Sequence, residues 1–292
     1  MPQPEWTGAR GKRVLMTGAT GGIGLAAAVE LARRGAELSI VARSAERASA
    51  AAAQIEAAGG GRAVDVLMAD LSLQRSVRRL AEEVLERYPR LDVLVNNAGA
   101  VFTSRQLTEE GVELTWALNH LAPFLLTTLL LDRLEASSPA RIVTTSSDAH
   151  RGARIPFDDI NADRSYRAFG FGRYGETKLA NVLFTRELAR RLEGTGVSAF
   201  SFHPGFVASG FNRNNGLLMR LGMTLTRPFS RSPEKGAETL VWLCDAAEVD
   251  RQSGGYFVDG RRAEPSPAAL DAGAARRLWD VSEEQVRATQ GR

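Results

Sequence analysis

Tyr174 and Lys178 stand four residues apart in a helical pattern spanning 174–193, which sets both side chains on one face of one helix. A free phenol titrates at about pH 10, too high for an efficient proton carrier at neutral pH, and a neighbouring ammonium favours the phenolate. The pair reads as a general acid/base unit that moves one proton. Ser147, just past the strand-like segment 141–146, offers a hydroxyl that can donate to a carbonyl oxygen, with adjacent Ser146 its rival.

A second constellation is built for phosphate. Thr17-Gly18-Ala19-Thr20-Gly21-Gly22-Ile23-Gly24 joins the strand-like segment 14–17 to a helical pattern over 22–34. Glycine lets backbone approach a pyrophosphate closely, and a helix N-terminus presents free N–H groups and a favourable dipole. Gly18, Thr20, Gly22, Ile23 and Gly24 are the candidate contacts, in a Gly-x-x-x-Gly-x-Gly spacing that differs from the common Gly-x-Gly-x-x-Gly. A proton-moving tyrosine beside a dinucleotide loop implies hydride transfer with a nicotinamide.

The segment 38–42 ends in Ala42-Arg43-Ser44, where an acidic residue would hold an unmodified ribose. Arg43 attracts a 2′-phosphate instead, so NADP(H) is expected, with NAD(H) second; Arg47 or Arg13 can assist. Asp70 follows the segment 63–69, where its carboxylate can accept from an adenine amino group with Leu71 packed on the ring; a simple helix N-cap is the other reading of Asp70. Asn119 lies inside the helical pattern 112–135, four residues before Pro123. Proline has no N–H, so the Asn119 carbonyl loses its helical donor and is free to hold a water leading toward Lys178.

The rest of the composition narrows the class. With 37 basic and 34 acidic residues the net charge is +3, too small and too dispersed for a nucleic-acid surface. The single Cys244 sits in an apolar run and reads as core in a reducing compartment. His120, His150 and His203 lack metal-ligand spacing, so no metal is expected. The longest apolar run, 121–131, is too short for a membrane span, and a cytoplasmic protein is expected.

Seven strand-like segments, at 14–17, 38–42, 63–69, 91–96, 141–145, 197–202 and 255–258, alternate with helical patterns at 22–34, 45–58, 73–88, 112–135, 174–193 and 233–246. That alternation predicts an α/β fold: one doubly wound domain with a parallel sheet of about seven strands and helices on both faces. The domain is expected to fill 1–292, with its core over about 12–260, an insertion at 151–172, a substrate lid at 210–232 and a C-terminal helical extension at 265–292. The lid's leucines and arginines suit an apolar substrate cover or peripheral contact with a membrane surface.

Taken together, Thr17 to Gly24, Asn96-Asn97-Ala98-Gly99, Ser147, Tyr174-Gly175-Glu176-Thr177-Lys178 and His203-Pro204-Gly205 resemble the short-chain dehydrogenase/reductase family in order and spacing. The resemblance implies Tyr174 as acid/base, Lys178 on the nicotinamide ribose, Ser147 orienting the substrate oxygen and Asn119 completing a tetrad. It further implies cofactor contacts from Asn97, Ala98, Gly99, Pro204, Gly205 and Val207, from Tyr174 as well as Lys178, and from Ser209 where threonine is usual. Ala42-Arg43-Ser44, Leu118-Asn119-His120-Leu121, Ser146 to His150 and the long gap from Ser147 to Tyr174 resemble the retinol dehydrogenase and WW-domain oxidoreductase branch. That branch implies NADP(H), a small hydrophobic alcohol or carbonyl substrate, and a homo-oligomer as an open possibility. A protein that senses NADP(H) without turnover is the alternative, and the complete set of Asn119, Ser147, Tyr174 and Lys178 argues against it.

Overall fold

The computed structural model describes residues 5–207 and 231–288. Near-continuous apolar runs such as Val93–Asn96 and Ala140–Thr145 are buried along their whole length, the pattern of strands covered on both faces. The strands are β1 Arg13–Thr17, β2 Glu37–Ala42, β3 Asp65–Met68, β4 Val93–Asn96, β5 Ala140–Thr145, β6 Val197–His203, β7 Tyr256–Val258 and β8 Arg261–Ala263. They form one sheet in the order β3-β2-β1-β4-β5-β6-β7-β8, parallel except for the last pair. Seven of them match the expected strands. The eighth follows from Asp259-Gly260, which both adopt positive φ (51° and 68°) and close a two-residue hairpin pairing Val258 with Arg261.

Helices α1 Gly22–Arg33 and α2 Ala45–Ala58 pack on one face, joined by α6 Pro233–Asp245; Phe200, Phe257 and the buried Cys244 lie in the same apolar layer. Helices α3 Gln74–Arg87, α4 Leu114–Ala136, α5 Phe171–Arg191 and α7 Ala272–Ala288 cover the other. The helix starts follow their chemistry. Ser44 and Ser232 accept from the amides of Arg47 and Lys235, and Gly170 takes φ 81° before α5. The α3 start is capped from a distance, the Glu110 carboxylate accepting from the Gln74 and Arg75 amides at 2.7 and 3.1 Å.

Helix α4 is long and apolar enough to cross a membrane, with a mean hydropathy of 1.4, because its first turns extend the apolar run back to Leu114. Within the fold, 72% of that stretch is buried, which is how a core helix hides an apolar surface. The α4 path also differs in kind from a simple proline break. Residues Ala117–Leu121 form a π-turn, with the Ala122 amide donating to the Ala117 carbonyl, and the helix then runs on through Pro123.

The segment 151–172 carries turns and the short 3₁₀ piece Ala168–Gly170, and Tyr166 anchors it by donating to the Phe102 carbonyl at 2.8 Å. The expected lid falls almost wholly outside the described residues, as does Ser209. Beyond β8 the chain folds back, and Trp279 of α7 packs on Phe124 and Phe184 of α4 and α5.

Candidate active site

The order of the sheet reverses between β1 and β4, and the loops leaving the carboxyl ends of these strands form the crevice where open α/β sheets bind ligands. Gly18 has φ 70°, and a β-carbon there would lie 2.8 Å from the Ala98 Cα and the Asn97 Nδ2. A β-carbon at Gly24 would collide with the Gly18 carbonyl, so α1 can approach the loop only as glycine. Thr17, absent from the sequence-based candidates, ties the loops together: its Oγ1 accepts from the Asn97 and Ala98 amides at 3.0 and 3.1 Å. Asn97 Nδ2 donates to the Thr17 and Gly18 carbonyls, and its Oδ1 accepts from Thr145. The ends of β1, β4 and β5 are thereby held as one cradle for a pyrophosphate.

The remaining cofactor candidates arrange around it. Thr20 sits in the loop, and Gly22, at φ 56°, is the first residue of α1. Ile23, Pro204 and Val207 meet at Gly236 of α6, where a β-carbon would touch Val207 and Ile23. Gly205, at φ 81°, turns beneath the Arg231 side chain, which pairs with Asp259. Arg43 is exposed at the end of β2 and, among the described residues, pairs with no carboxylate. Arg47 is the better of its two expected helpers, because its Nη2 lies within 3.4 Å of a β-carbon placed on Gly21. Arg13 is no helper: it begins β1 at the opposite end of the sheet and pairs with Glu37 at 2.7 Å and Asp65 at 3.1 Å.

Asp70 does not cap α3. Its Oδ1 accepts from the Ser72 amide and hydroxyl at 2.9 and 2.7 Å, closing a local turn, while Leu73 takes the cap position. Leu71 packs partly against the core.

Tyr174 and Lys178 share a face of α5 as their spacing requires, the Lys178 Nζ lying 5.4 Å from the Tyr174 ring centre. Lys178 is buried and donates to the Thr145 carbonyl at 2.9 Å; Asn181, one turn on, donates to the same oxygen at 3.1 Å. Gly99 faces this group: a β-carbon there would lie 3.2 Å from the Asn119 Oδ1 and 3.5 Å, in ordinary contact, from Nζ. Burial pushes the Lys178 ammonium down to about 7. Burial also raises the Tyr174 phenol, opposed by its hydrogen bond with the Ser147 hydroxyl.

The lowered lysine value has a consequence for stability. The ordinary lysine value is about 10.4, so between pH 7 and 10 the unfolded chain binds more protons at this position, and stability rises with pH across that window. Below pH 7 the full cost of the buried ammonium is present. Lys178→Met is therefore expected to melt roughly 4 °C above the parent at pH 6, with the gap closing toward pH 10. Thermal melts of the unliganded proteins across pH check this; a constant gap would refute it.

The structure separates the two serines. Ser146 is buried and donates to the Lys178 carbonyl at 2.8 Å, bracing β5 against α5. Ser147 is partly exposed, heads the 3₁₀ turn Asp148–His150, and reaches Tyr174. Asn119 is fully buried, and its side chain grips Ala100, donating to the carbonyl and accepting from the amide at 2.9 Å each, with a further bond to Thr177. Its amide group is thus committed to holding the Asn97–Gly99 loop against α5. The site also depends on a pair that spacing could not reveal: Arg173, beside Tyr174, donates to Glu113 at the start of α4 at 2.7 Å, both side chains being at most 1% exposed.

Comparison with known proteins agrees with this architecture. Residues 12–158 match the family described as short chain dehydrogenase. Human retinol dehydrogenase 14 is 42% identical over 294 residues, covering 94% of this chain and 86% of its own length. Among solved structures, an uncharacterized protein from Mycobacterium paratuberculosis is similar with a TM-score of 0.77 and 32% identity, over 97% of this chain and 98% of that one. A short chain dehydrogenase from Burkholderia cenocepacia, solved in complex with NADP, has a TM-score of 0.68 and 28% identity, over 90% and 99%. The chain belongs to the short-chain dehydrogenase family, in its retinol dehydrogenase branch, and is an oxidoreductase acting on alcohol and carbonyl groups.

Proposed function

We propose that the protein interconverts an alcohol and a carbonyl on a small hydrophobic substrate, with NADP(H) as cofactor. The observation that carries this reading is the convergence of Tyr174, Ser147 and buried Lys178 at the end of β5, beside a glycine cradle. A bound nicotinamide supplies or takes up the hydride. The Ser147 hydroxyl donates to the substrate oxygen and orients it, and Tyr174 gives that oxygen its proton in reduction or removes it in oxidation. A phenol is protonated at neutral pH and burial favours that form further, so the unliganded site is set as a proton donor, ready for carbonyl reduction. Lys178 holds the ribose and, when charged, lowers the cost of the phenolate. The Asn119 carbonyl, in a π-turn four residues before Pro123, is the acceptor for the first water of a proton path to Lys178.

Two exposed aromatics suit a hydrophobic substrate: Phe171, one turn before Tyr174 on α5, and Phe206, in the turn after β6. All-trans-retinal is a rational first probe because a relative carries the name retinol dehydrogenase. NADPH consumption should be measured against retinal and a panel of hydrophobic aldehydes and ketones; no turnover of any of them would overturn the reading.

The cofactor preference rests on Arg43. A charge-assisted contact to a 2′-phosphate is worth about 1.5–3 kcal/mol, so Arg43→Asp is expected to weaken NADPH binding roughly 10- to 100-fold while NADH binding holds or improves. Fluorescence titration with both cofactors checks this, and unchanged NADPH affinity would refute it.

A further inference from the structure

His150 is fully buried three residues after Ser147, yet the proton-moving group makes no use of it. Its Nε2 lies 3.0 Å from the Ser266 backbone nitrogen. A backbone N–H can only donate, so Nε2 is the bare acceptor nitrogen and the ring proton sits on Nδ1. That nitrogen is 2.7 Å from the Ser147 carbonyl and therefore donates to it. The same carbonyl also accepts from the His150 amide at 3.1 Å, so two donors fix the plane of the serine peptide. The ring stands edge-on to Tyr256 at 5.0 Å, and the Tyr256 hydroxyl donates to Asp148 at 3.0 Å. Arg151 closes the turn by donating to Asp148 and to the Glu264 carbonyl. The 3₁₀ turn after β5 is thus clamped to the chain that leaves β8, more than a hundred residues away.

We infer that His150 is a positioning residue for Ser147, a neutral imidazole whose tautomer is set by the Ser266 amide and whose Nδ1–H holds the serine peptide so that the hydroxyl meets Tyr174 and the substrate oxygen. It acts through the serine and touches no reacting atom. A hydroxyl must sit within a few tenths of an ångström of its productive place, and a misplacement near 1 Å costs up to about 100-fold in rate. The inference rests on the proposed role of Ser147.

The test separates the two ring nitrogens. Asparagine places an amide N–H near the Nδ1 position, whereas glutamine places a carbonyl oxygen near Nε2 and loses the donor to Ser147. With NADPH and all-trans-retinal, His150→Gln is expected to lower kcat about 10- to 100-fold with KM and NADPH affinity within about twofold, and His150→Asn to stay within about threefold of the parent. Both variants should melt at similar temperatures. Equal losses in kcat that simply follow the melting temperature would show a merely structural role and overturn the inference. Ser147→Ala, run alongside, distinguishes the two readings: full activity there overturns the role of the serine itself, whatever His150 does. A readout free of turnover is the ¹H–¹⁵N correlation spectrum of histidine-labelled protein. It should show His150 protonated on Nδ1 and bare on Nε2, and the opposite tautomer would overturn the clamp.

Discussion

Tyr174→Phe is expected to lower kcat by about 10²–10⁴-fold, the range set by loss of a positioned general acid/base, while NADPH affinity stays within about twofold. The substitution removes one oxygen and leaves the ring, so the packing beneath Lys178 and the course of α5 are kept. What is lost is the proton donor to the substrate oxygen and the hydrogen bond with Ser147. The pyrophosphate cradle is built from Thr17, Gly18, Asn97 and the start of α1, all of which the substitution leaves unchanged, so cofactor binding serves as the internal control. Steady-state rates with the best substrate of the parent, together with fluorescence titration of NADPH, make the measurement. A kcat within tenfold of the parent would end the case for Tyr174 as the acid/base.

Glu113→Ala is expected to destabilise the protein by about 3 kcal/mol, the low end of the cost of breaking a buried ion pair, because Arg173 keeps Glu176 as a second partner. Arg173 is held by Glu113 at 2.7 Å, by Glu176 at 2.9 Å and by the Ile160 carbonyl, with its guanidinium 4.7 Å over the Trp116 ring. Glu113 also accepts from the Thr115 and Trp116 amides at 2.9 Å, and its own amide donates to Asn161. The Glu113 carboxylate therefore starts α4 and fixes the start of α5 next to Tyr174, while its backbone amide holds Asn161 of the segment 151–172. Loss of the carboxylate leaves Arg173 with the partly exposed Glu176 as its remaining carboxylate among the described residues, and leaves two amides unpaired. Removing both charges, as in Glu113→Gln with Arg173→Met, should recover part of the stability, since the uncompensated charge goes with its partner. Denaturant unfolding checks both; a loss under about 1 kcal/mol for Glu113→Ala would refute the assignment.

These two predictions differ in what made them visible. Tyr174 and Lys178 are four residues apart on a helix, so their shared face follows from 3.6 residues per turn and needs no knowledge of the fold. The glycine loop is legible for the same reason, since strand, turn and helix start follow one another within a dozen residues. Glu113 and Arg173 are sixty residues apart, each an ordinary charge within its own window, and only the packing of α4 on α5 makes them a pair. The β8 strand was locally legible through Asp-Gly, the strongest short hairpin signal, but Arg261 and Arg262 look like solvated charges and hide it.

Sequence alone, through local spacing, determined the alternation of strands and helices, the glycine loop between β1 and α1, the shared face of Tyr174 and Lys178 and the place of Arg43 after β2, because each is set within one element or one turn. Tertiary structure alone placed Ser146 against the Lys178 carbonyl and Ser147 beside Tyr174, removed Arg13 from the cofactor side, and committed the Asn119 side chain to Ala100, whereas Asp70 closes a local turn with Ser72. For the serines, Arg13 and Asn119 the partner lies far along the chain, so which oxygen or amide each side chain meets is fixed by how strands, helices and loops pack together.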